Sequence, residues 1–424
     1  MDSKTNAFCE ARFLPTRTWL RTRRGMATPF RVAIAARKRV DNLHGSISLA
    51  NVKTTIRFAE PSDAPAILRF NRRFRAAGRS EALHPDPKLP GEARYRPEGF
   101  PLCQRLMIAE DGQEIRAGMM LLHHTIFVRG KEQEFCWTDW PLSEGLIDRA
   151  HSLAIIQLLR RALSYQPFLL GLGVGSLDED WARIVLAFGW RQGAVPFFFY
   201  PVRATRVLLG LRYLRTRRAL RLGAVAAACC GLGVGLTGFL SLRRRLAAAF
   251  SSCEIMEEKS FGEWADRVFA NCLRDYGATA CRKATALNIL YPPDDTRFIR
   301  LRVLRKDTKE DVGWILVLNT QMRVNQYFGD LKVGTVVDGF GAAEEVPALL
   351  RAAVDYLSAR DADIIVGNFS HTAWVEASRR TGFFSGPSNY FLFASPGGPL
   401  LEDGCPLPEI HLTRGDCNGF THLL

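Results

Sequence analysis

The stretch PFLLGLGVGSLDEDWARIVLAFGWRQGAVPFFFYPV, residues 167–202, decides the fold class. Phe168–Val174 is a continuous apolar run between Pro167 and Gly175, the pattern of a strand buried on both faces of a parallel sheet. Asp178–Phe188 has helical spacing and stops at Gly189. Phe197–Val202 is rich in the aromatic residues that favour strands. Strand, helix and strand in this order read as part of an α/β sheet with mixed strand directions.

Working outward, the residues before this stretch supply the rest of a domain. Ile56–Ala59 reads as a strand, and Asp63 as the N-cap of a helix over Ala64–Phe74. Five prolines in 84–101 exclude regular structure and predict a long loop. Leu106–Glu110 and Gly118–Val128 read as a hairpin around Asp111-Gly112, followed by a strand at Gln133–Trp140. Ile147–Leu163 reads as an amphipathic helix. The second half repeats the order. It has a helix at Phe261–Asp275, strands at Phe298–Leu304, Gly313–Asn319 and Val333–Asp338, and a helix at Val346–Ala359. A strand at Ile364–Gly367, a helix at His371–Arg380 and a strand at Tyr390–Ala394 complete it. An order found twice is stronger evidence than either copy.

The net charge of +14 over 424 residues is unevenly placed. Residues 1–53 carry +8, residues 203–245 carry +10 with ten arginines and no acid, and the remainder carries −4. A folded body with one broad basic face, as in many nucleic-acid binders, is therefore excluded. The predicted organisation is a disordered basic extension (1–53), a domain (54–202), a basic and apolar linker (203–254), a second domain (255–395) and a Gly/Pro-rich tail (396–424). A transit peptide would share the composition of 1–53, and so would a tail ahead of a true start at Met26. The ten cysteines show no C-x-x-C, so the sequence offers no zinc site, no metal is expected, and a reducing compartment fits.

The order of elements, with Ile56–Phe70 ("IRFAEPSDAPAILRF") and Gly382-Phe383 after Asn368 and Ala373, resembles the GNAT superfamily of N-acetyltransferases, here in tandem. Lys283–Pro292 ("KATALNILYP") and Thr413–Gly419 resemble tandem GNAT-like and Fem-type proteins found with bacterial polysaccharide genes. The resemblance implies acyl transfer from acetyl-CoA or another acyl-CoA to an amino group of an envelope or polysaccharide precursor. It also implies pyrophosphate binding at the helix start after the fourth strand, where unpaired N–H groups gather. The matching residues are Gly145 in the first half and Gly339, Gly341 and Ala342 in the second, with Asn368 nearby. Neither turn carries the family's Arg/Gln-x-x-Gly-x-Gly/Ala run. Glu144, Asp148, Glu344 and Glu345 would repel an anion unless they point away. The second turn, with two glycines, is the better candidate. Base candidates near the fourth strand are Glu134, Asp139 and Asp338. The family's acidic tyrosine is replaced by Val185 and Ser378.

Two other readings stay open. One is a non-catalytic scaffold held at a membrane or assembly by its linker. The other is Fem-like transfer from aminoacyl-tRNA, the single nucleic-acid partner considered. Leu222–Leu242 is uncharged and long enough as a helix to span a bilayer. Interfacial seating on anionic lipid and packing between the domains rank ahead of a span. The expected location is cytoplasmic, including the inner face of the membrane. Gly233–Gly238 matches G-x-G-x-x-G without the β-α-β context a dinucleotide requires. His123 and His124 alternate on a strand, so one is expected buried and one exposed. Phe197–Tyr200 is expected in a core, Arg414–Asp416 as a turn, and Asp416 with Asn418 falls short of a calcium loop.

Overall fold

The computed structural model describes residues 54–79, 81–83, 102–173, 177–215, 218–249, 252–401 and 405–417. The predicted proline loop, the N-terminal extension and Asn418 lie outside them. The first half contains β1 (Thr55–Phe58), α1 (Ala64–Ala76), β2 (Cys103–Asp111), β3 (Glu114–Val128), β4 (Lys131–Ser143), α2 (Leu153–Tyr165), β5 (Leu169–Leu172), α3 (Asp180–Ala187), β6 (Arg191–Ala194) and β7 (Phe197–Pro201). Three helices follow: α4 (Ala204–Gly210), α5 (Arg218–Cys229) and α6 (Leu232–Ala249). The second half contains β8 (Cys253–Glu258), α7 (Glu263–Cys272), β9 (Ala278–Ala280), α8 (Ala284–Leu290), β10 (Ile299–Arg305), β11 (Asp311–Gln321), β12 (Lys332–Gly341), α9 (Val346–Ala359), β13 (Ile364–Asn368), α10 (Thr372–Thr381), β14 (Phe384–Gly386), β15 (Phe391–Ala394) and β16 (Ile410–His411).

The order foreseen in both halves is present, with local corrections. The helix expected from Ile147 starts at Leu153, because two 3-10 turns at Glu144–Leu146 and Arg149–His151 precede it. Asp63 does precede α1, but its carboxylate binds both Arg57 nitrogens at 2.7 Å and the Glu60 amide instead of capping the helix. Gly382 ends α10 at φ 97°, a left-handed C-cap that suits glycine.

The largest correction concerns the last strands. The sequence assigns Phe197–Val202 to the first domain and Tyr390–Ala394 to the second. The structure exchanges them. The first sheet runs β1-β2-β3-β4-β5-β15-β6 and the second β14-β7-β13-β12-β11-β10-β8. β7 pairs with β13 from Ile364↔Pro201 to Asn368↔Phe197, and β15 lies antiparallel to both β5 and β6. β9 of the second half also pairs with β3 of the first, and β16 with β9. One buried core therefore holds Trp137 and Leu170 of the first half together with Trp314, Phe340 and Trp374 of the second.

The segment expected as a tail is partly interior. Ile410–Cys417 is almost entirely buried, with His411 and Thr413 fully so. The run with the G-x-G-x-x-G match lies within α6, which follows helix α5 and not a strand.

Candidate acyl-transfer cleft

Both sheets open at the same place. β4 and β5 run parallel from Cys136↔Leu169 to Thr138↔Gly171, and β12 and β13 from Val333↔Ile364 to Thr335↔Val366. Beyond Thr138 and Thr335 the pairing stops although the strands continue. Each fourth strand bulges there: the β3–β4 register shifts between Gly118 and Met120, and the β11–β12 register between Leu316 and Val317. A bulge adds an unpaired residue and bends its strand, so it turns the edge away from its parallel neighbour. In β4 the bulge includes Trp140, whose φ of 46° is left-handed.

The second opening is filled by the chain's own end. Thr413 bridges Phe369, the Ser370 amide donates to Leu412 O at 3.2 Å, and the Gly415 amide donates to Val337 O at 2.7 Å. His411 Nε2 lies 2.8 Å from Gly339 O. The segment thus bonds to both parted strands. The helix start beyond is taken as well, since the Ala343 amide donates to the Asp275 carboxylate at 2.9 Å. A protein carboxylate stands where an anion would be held.

This corrects the preference for the second turn. Gly339 and Gly341 lie inside β12, opposite Ile315 and Gly313. A Cβ on Gly339 would meet Trp374 at 2.6 Å, and one on Gly341 would meet Val312 O at 2.8 Å, so packing accounts for both glycines. Ala342 accepts the Glu345 amide. Asn368 donates to Pro196 O at 3.3 Å and faces the exchanged strand.

The first opening is different. In its turn Glu144 is buried and bound by Arg73 and by Arg116 at 2.7 Å, so that charge is turned inward and compensated, while Asp148 stays exposed and accepts the Ala150 amide at 3.0 Å. The Gly145 amide donates to Ser143 Oγ at 3.2 Å, and a Cβ there would meet Ser152 Cα at 2.7 Å. Ser152 makes no side-chain cap, which leaves the start of α2 without that partner for its N–H groups.

Asp139 sits in the β4 bulge one residue past the last paired position, opposite Met120. Desolvation pushes its carboxyl up to about 7, against a hydrogen bond from the Trp140 backbone. Tyr390, carried in beside β15, reaches the same place. A Cβ on Gly173 would meet its ring at 2.9 Å. Burial pushes its hydroxyl well above the ordinary range, and Arg414, Asp416 and Asp139 all act on it electrostatically. A carboxyl raised toward neutrality and a phenol that keeps its proton are groups able to exchange protons with a bound molecule. Glu134 is not part of it. It is exposed five residues before Asp139 on β4, about 17 Å along the strand.

Asp338 belongs to a separate, buried centre. Arg282, 2 % exposed, holds Asp338 Oδ1 at 3.1 Å and Asp416 Oδ2 at 2.8 Å. The Tyr291 hydroxyl donates to Asp338 Oδ2 at 3.2 Å, and the Thr413 hydroxyl donates to Asp338 Oδ1 at 2.9 Å. Burial raises the Asp338 pKa, Arg282 opposes this, and Asp416 adds to it. His124 of the first half lines the same small cavity, and burial lowers it to about 4. His124 Nδ1 lies 2.8 Å from Thr125 O; His123 is half-buried against Tyr165 rather than exposed. Sequence reasoning missed Arg282 and Tyr390 outright. The two segments singled out by resemblance, Lys283–Pro292 and Thr413–Gly419, do meet here through Tyr291, Thr413 and Asp416.

Among the described residues no group of three or more His, Cys, Asp or Glu is placed to hold a metal ion. No family model matches the sequence. No curated protein matches it either. Solved structures do resemble the model. A conserved protein from Enterococcus faecalis V583 superposes with TM-score 0.48 at 8% identity, covering 80% of this chain and 72% of its own. Saccharomyces cerevisiae N-myristoyltransferase with bound myristoyl-CoA gives TM-score 0.44 at 8% identity, covering 83% and 84%. A tandem GNAT protein from the clavulanic acid biosynthesis pathway gives 0.43 at 11% identity, covering 82% and 99%. The element order, the fourth-strand bulge and the parted parallel strands occur in both halves of this chain.

Proposed function

We propose that the chain is an N-acyltransferase whose first half carries the reaction and whose second half completes and supports it. The observation behind this is the position of Asp139, raised to about 7 beside the strand opening that, among the described residues, makes no backbone hydrogen bond to Ile410–Cys417. An acyl-CoA would bring an activated thioester. The start of α2, cleared of the Glu144 charge, suits a pyrophosphate. Asp139 takes the ammonium proton of the acceptor, and the Tyr390 hydroxyl holds a proton for the departing thiolate. The acceptor class, an amino group on an envelope or polysaccharide precursor, rests on the tandem resemblance in Lys283–Pro292 and Thr413–Gly419.

The scaffold reading applies to the second half alone, because its opening and its helix start are both taken by protein groups. Titration calorimetry of the intact protein with acetyl-CoA and longer acyl-CoAs tests the proposal. One site per chain is expected, unchanged in Asp139→Asn. No binding at millimolar acyl-CoA would sink it, and two equal sites would refute the assignment of the halves.

A further inference from the structure

Linker helix α6 is only partly covered. One of its faces packs on the protein: Leu240 is buried, Thr237 Oγ1 accepts the Ala204 amide of α4 at 2.9 Å, and Arg244 lies 3.7 Å from Asp355 of the second half. Its other face is apolar and bare. Leu222 on α5 and Leu232, Val234, Phe239, Leu242 and Leu246 on α6 are each more than half exposed, Leu222 at 71% and Phe239 at 61%. Eight of the seventeen large exposed apolar side chains among the described residues fall within 218–249. Monomers rarely gather such residues in one patch without a partner.

Charge identifies the partner. Segment 203–245 has ten arginines and no acid. Arg203 and Arg206 pair with Asp361 and Asp363, and Arg244 faces Asp355. Arg218, Arg221, Arg243 and Arg245 have no carboxylate within ion-pair distance among the described residues. At 100° per residue, Arg243 and Arg245 flank Leu242 at about 100° and 60° on either side. An apolar strip edged by arginines is the pattern of a helix lying in the headgroup region of an anionic bilayer. Beside it, Arg243, Arg244, Arg351 and Arg380 surround a pocket of about 150 Å³ whose single acid is Asp355.

No single described helix is long and apolar enough to cross a membrane; α5 and Leu232–Leu246 of α6 reach that length and composition only as a pair, bent by 66°. Gly231, at φ 75°, makes that bend.

We propose that the bent α5–α6 pair seats on an anionic lipid surface, its bare face among the headgroups and the arginine pocket around a lipid phosphate. Seating does not depend on the acyl-transfer assignment. Each arginine near such a surface strengthens partition about five-fold.

The test is flotation of the full chain with phosphatidylcholine vesicles, with and without phosphatidylglycerol. Wild type should float with the mixed vesicles only, and salt should release it. Phe239→Ser/Leu242→Ser should lower the bound fraction at least ten-fold. Arg243→Gln/Arg351→Gln/Arg380→Gln should weaken binding on the order of a hundred-fold. All five positions are on the surface or its edge, so far-UV circular dichroism should be unchanged. Both variants keep residues 1–53, so flotation that survives them belongs to that extension and overturns the proposal. Calorimetric binding of inorganic pyrophosphate without flotation also overturns it, because the pocket would then serve a soluble anion.

Discussion

The amide of Gly415 donates to the carbonyl of Val337 at 2.7 Å, so the end of the chain closes the gap beside the β12 bulge. Gly415 is there because nothing larger fits: an added Cβ would stand 2.1 Å from the Tyr291 hydroxyl and 3.2 Å from Val337 O. Gly415→Ala must displace Tyr291 from Asp338 or lift the segment. Overpacking of this kind costs about 1–3 kcal/mol. A thermal melt should show the midpoint several degrees lower, and acyl-CoA binding in the first half should survive. An unchanged midpoint would mean that the segment does not fill the gap in solution.

Arg282 is the only cation bonded to two buried carboxylates in the centre among the described residues. Burial works against its charge, but Asp338 and Asp416 outweigh that and hold its pKa above the usual value. Arg282→Met leaves both acids without their partner, and breaking a buried pair from one side costs about 3–5 kcal/mol. The sign of the pH effect follows from Asp338. A carboxyl raised on folding keeps its proton longer in the native state, so stability falls as pH rises through the window. Without Arg282 that window widens upward. Urea midpoints of the variant should approach wild type as pH drops, and a pH-independent difference would contradict this.

His124 acts in the opposite direction. Its folded pKa of about 4 lies below its ordinary 6.5. Between those values the unfolded chain takes a proton that the native chain refuses, so stability is lost as pH falls from 6.5 to 4. Asp139, raised to about 7, contributes the reverse slope, so the comparison must be with a variant. His124→Gln should gain on wild type as pH falls through that range in denaturant titrations. A constant difference would show that His124 is not held neutral.

The proposed reaction places a third titration at Asp139. A base must be ionised to accept a proton, so turnover should rise with pH through about 7 and level off. Asp139→Asn should lose on the order of 10²–10⁴ in kcat, and Tyr390→Phe should lose less, with its effect in kcat and not in acyl-CoA affinity. Normal turnover by Asp139→Asn would remove it from the reaction.

Much of this was legible in the chain. Hydrophobic periodicity placed the longer elements of both halves, because burial on one helix face or both strand faces leaves a local imprint, while the short β6, β9, α8, β14 and β16 and the edge strand β8 went unforeseen. Asp139, the base we propose, was visible as an acid near the end of the fourth strand. Its rivals Glu134 and Asp338 could not be separated from it, since burial and solvation are properties of the packed sheet. Gly339 and Gly341 misled because glycine in a strand that neighbours crowd looks the same in sequence as glycine in a phosphate turn. Tyr390 was invisible as an acid: it reaches the first cleft only because β15 crosses into the first sheet, a pairing between Leu172 and Leu392 that no local pattern encodes.

That crossing dictates how the molecule folds. β7 has both its neighbours, β13 and β14, in the second half, and β15 has both of its neighbours, β5 and β6, in the first. Neither half can complete its sheet alone, and each would expose a gap flanked by unpaired backbone groups in an apolar setting. A chain divided after Ser252 should therefore give two fragments that are insoluble or molten when made singly. Made together, they should copurify at one to one and regain a single cooperative transition. Intact protein should melt in one step by both tryptophan fluorescence and far-UV signal. Two separated transitions, or a fragment 1–252 that melts cooperatively by itself, would show that the exchanged strands are not what binds the halves.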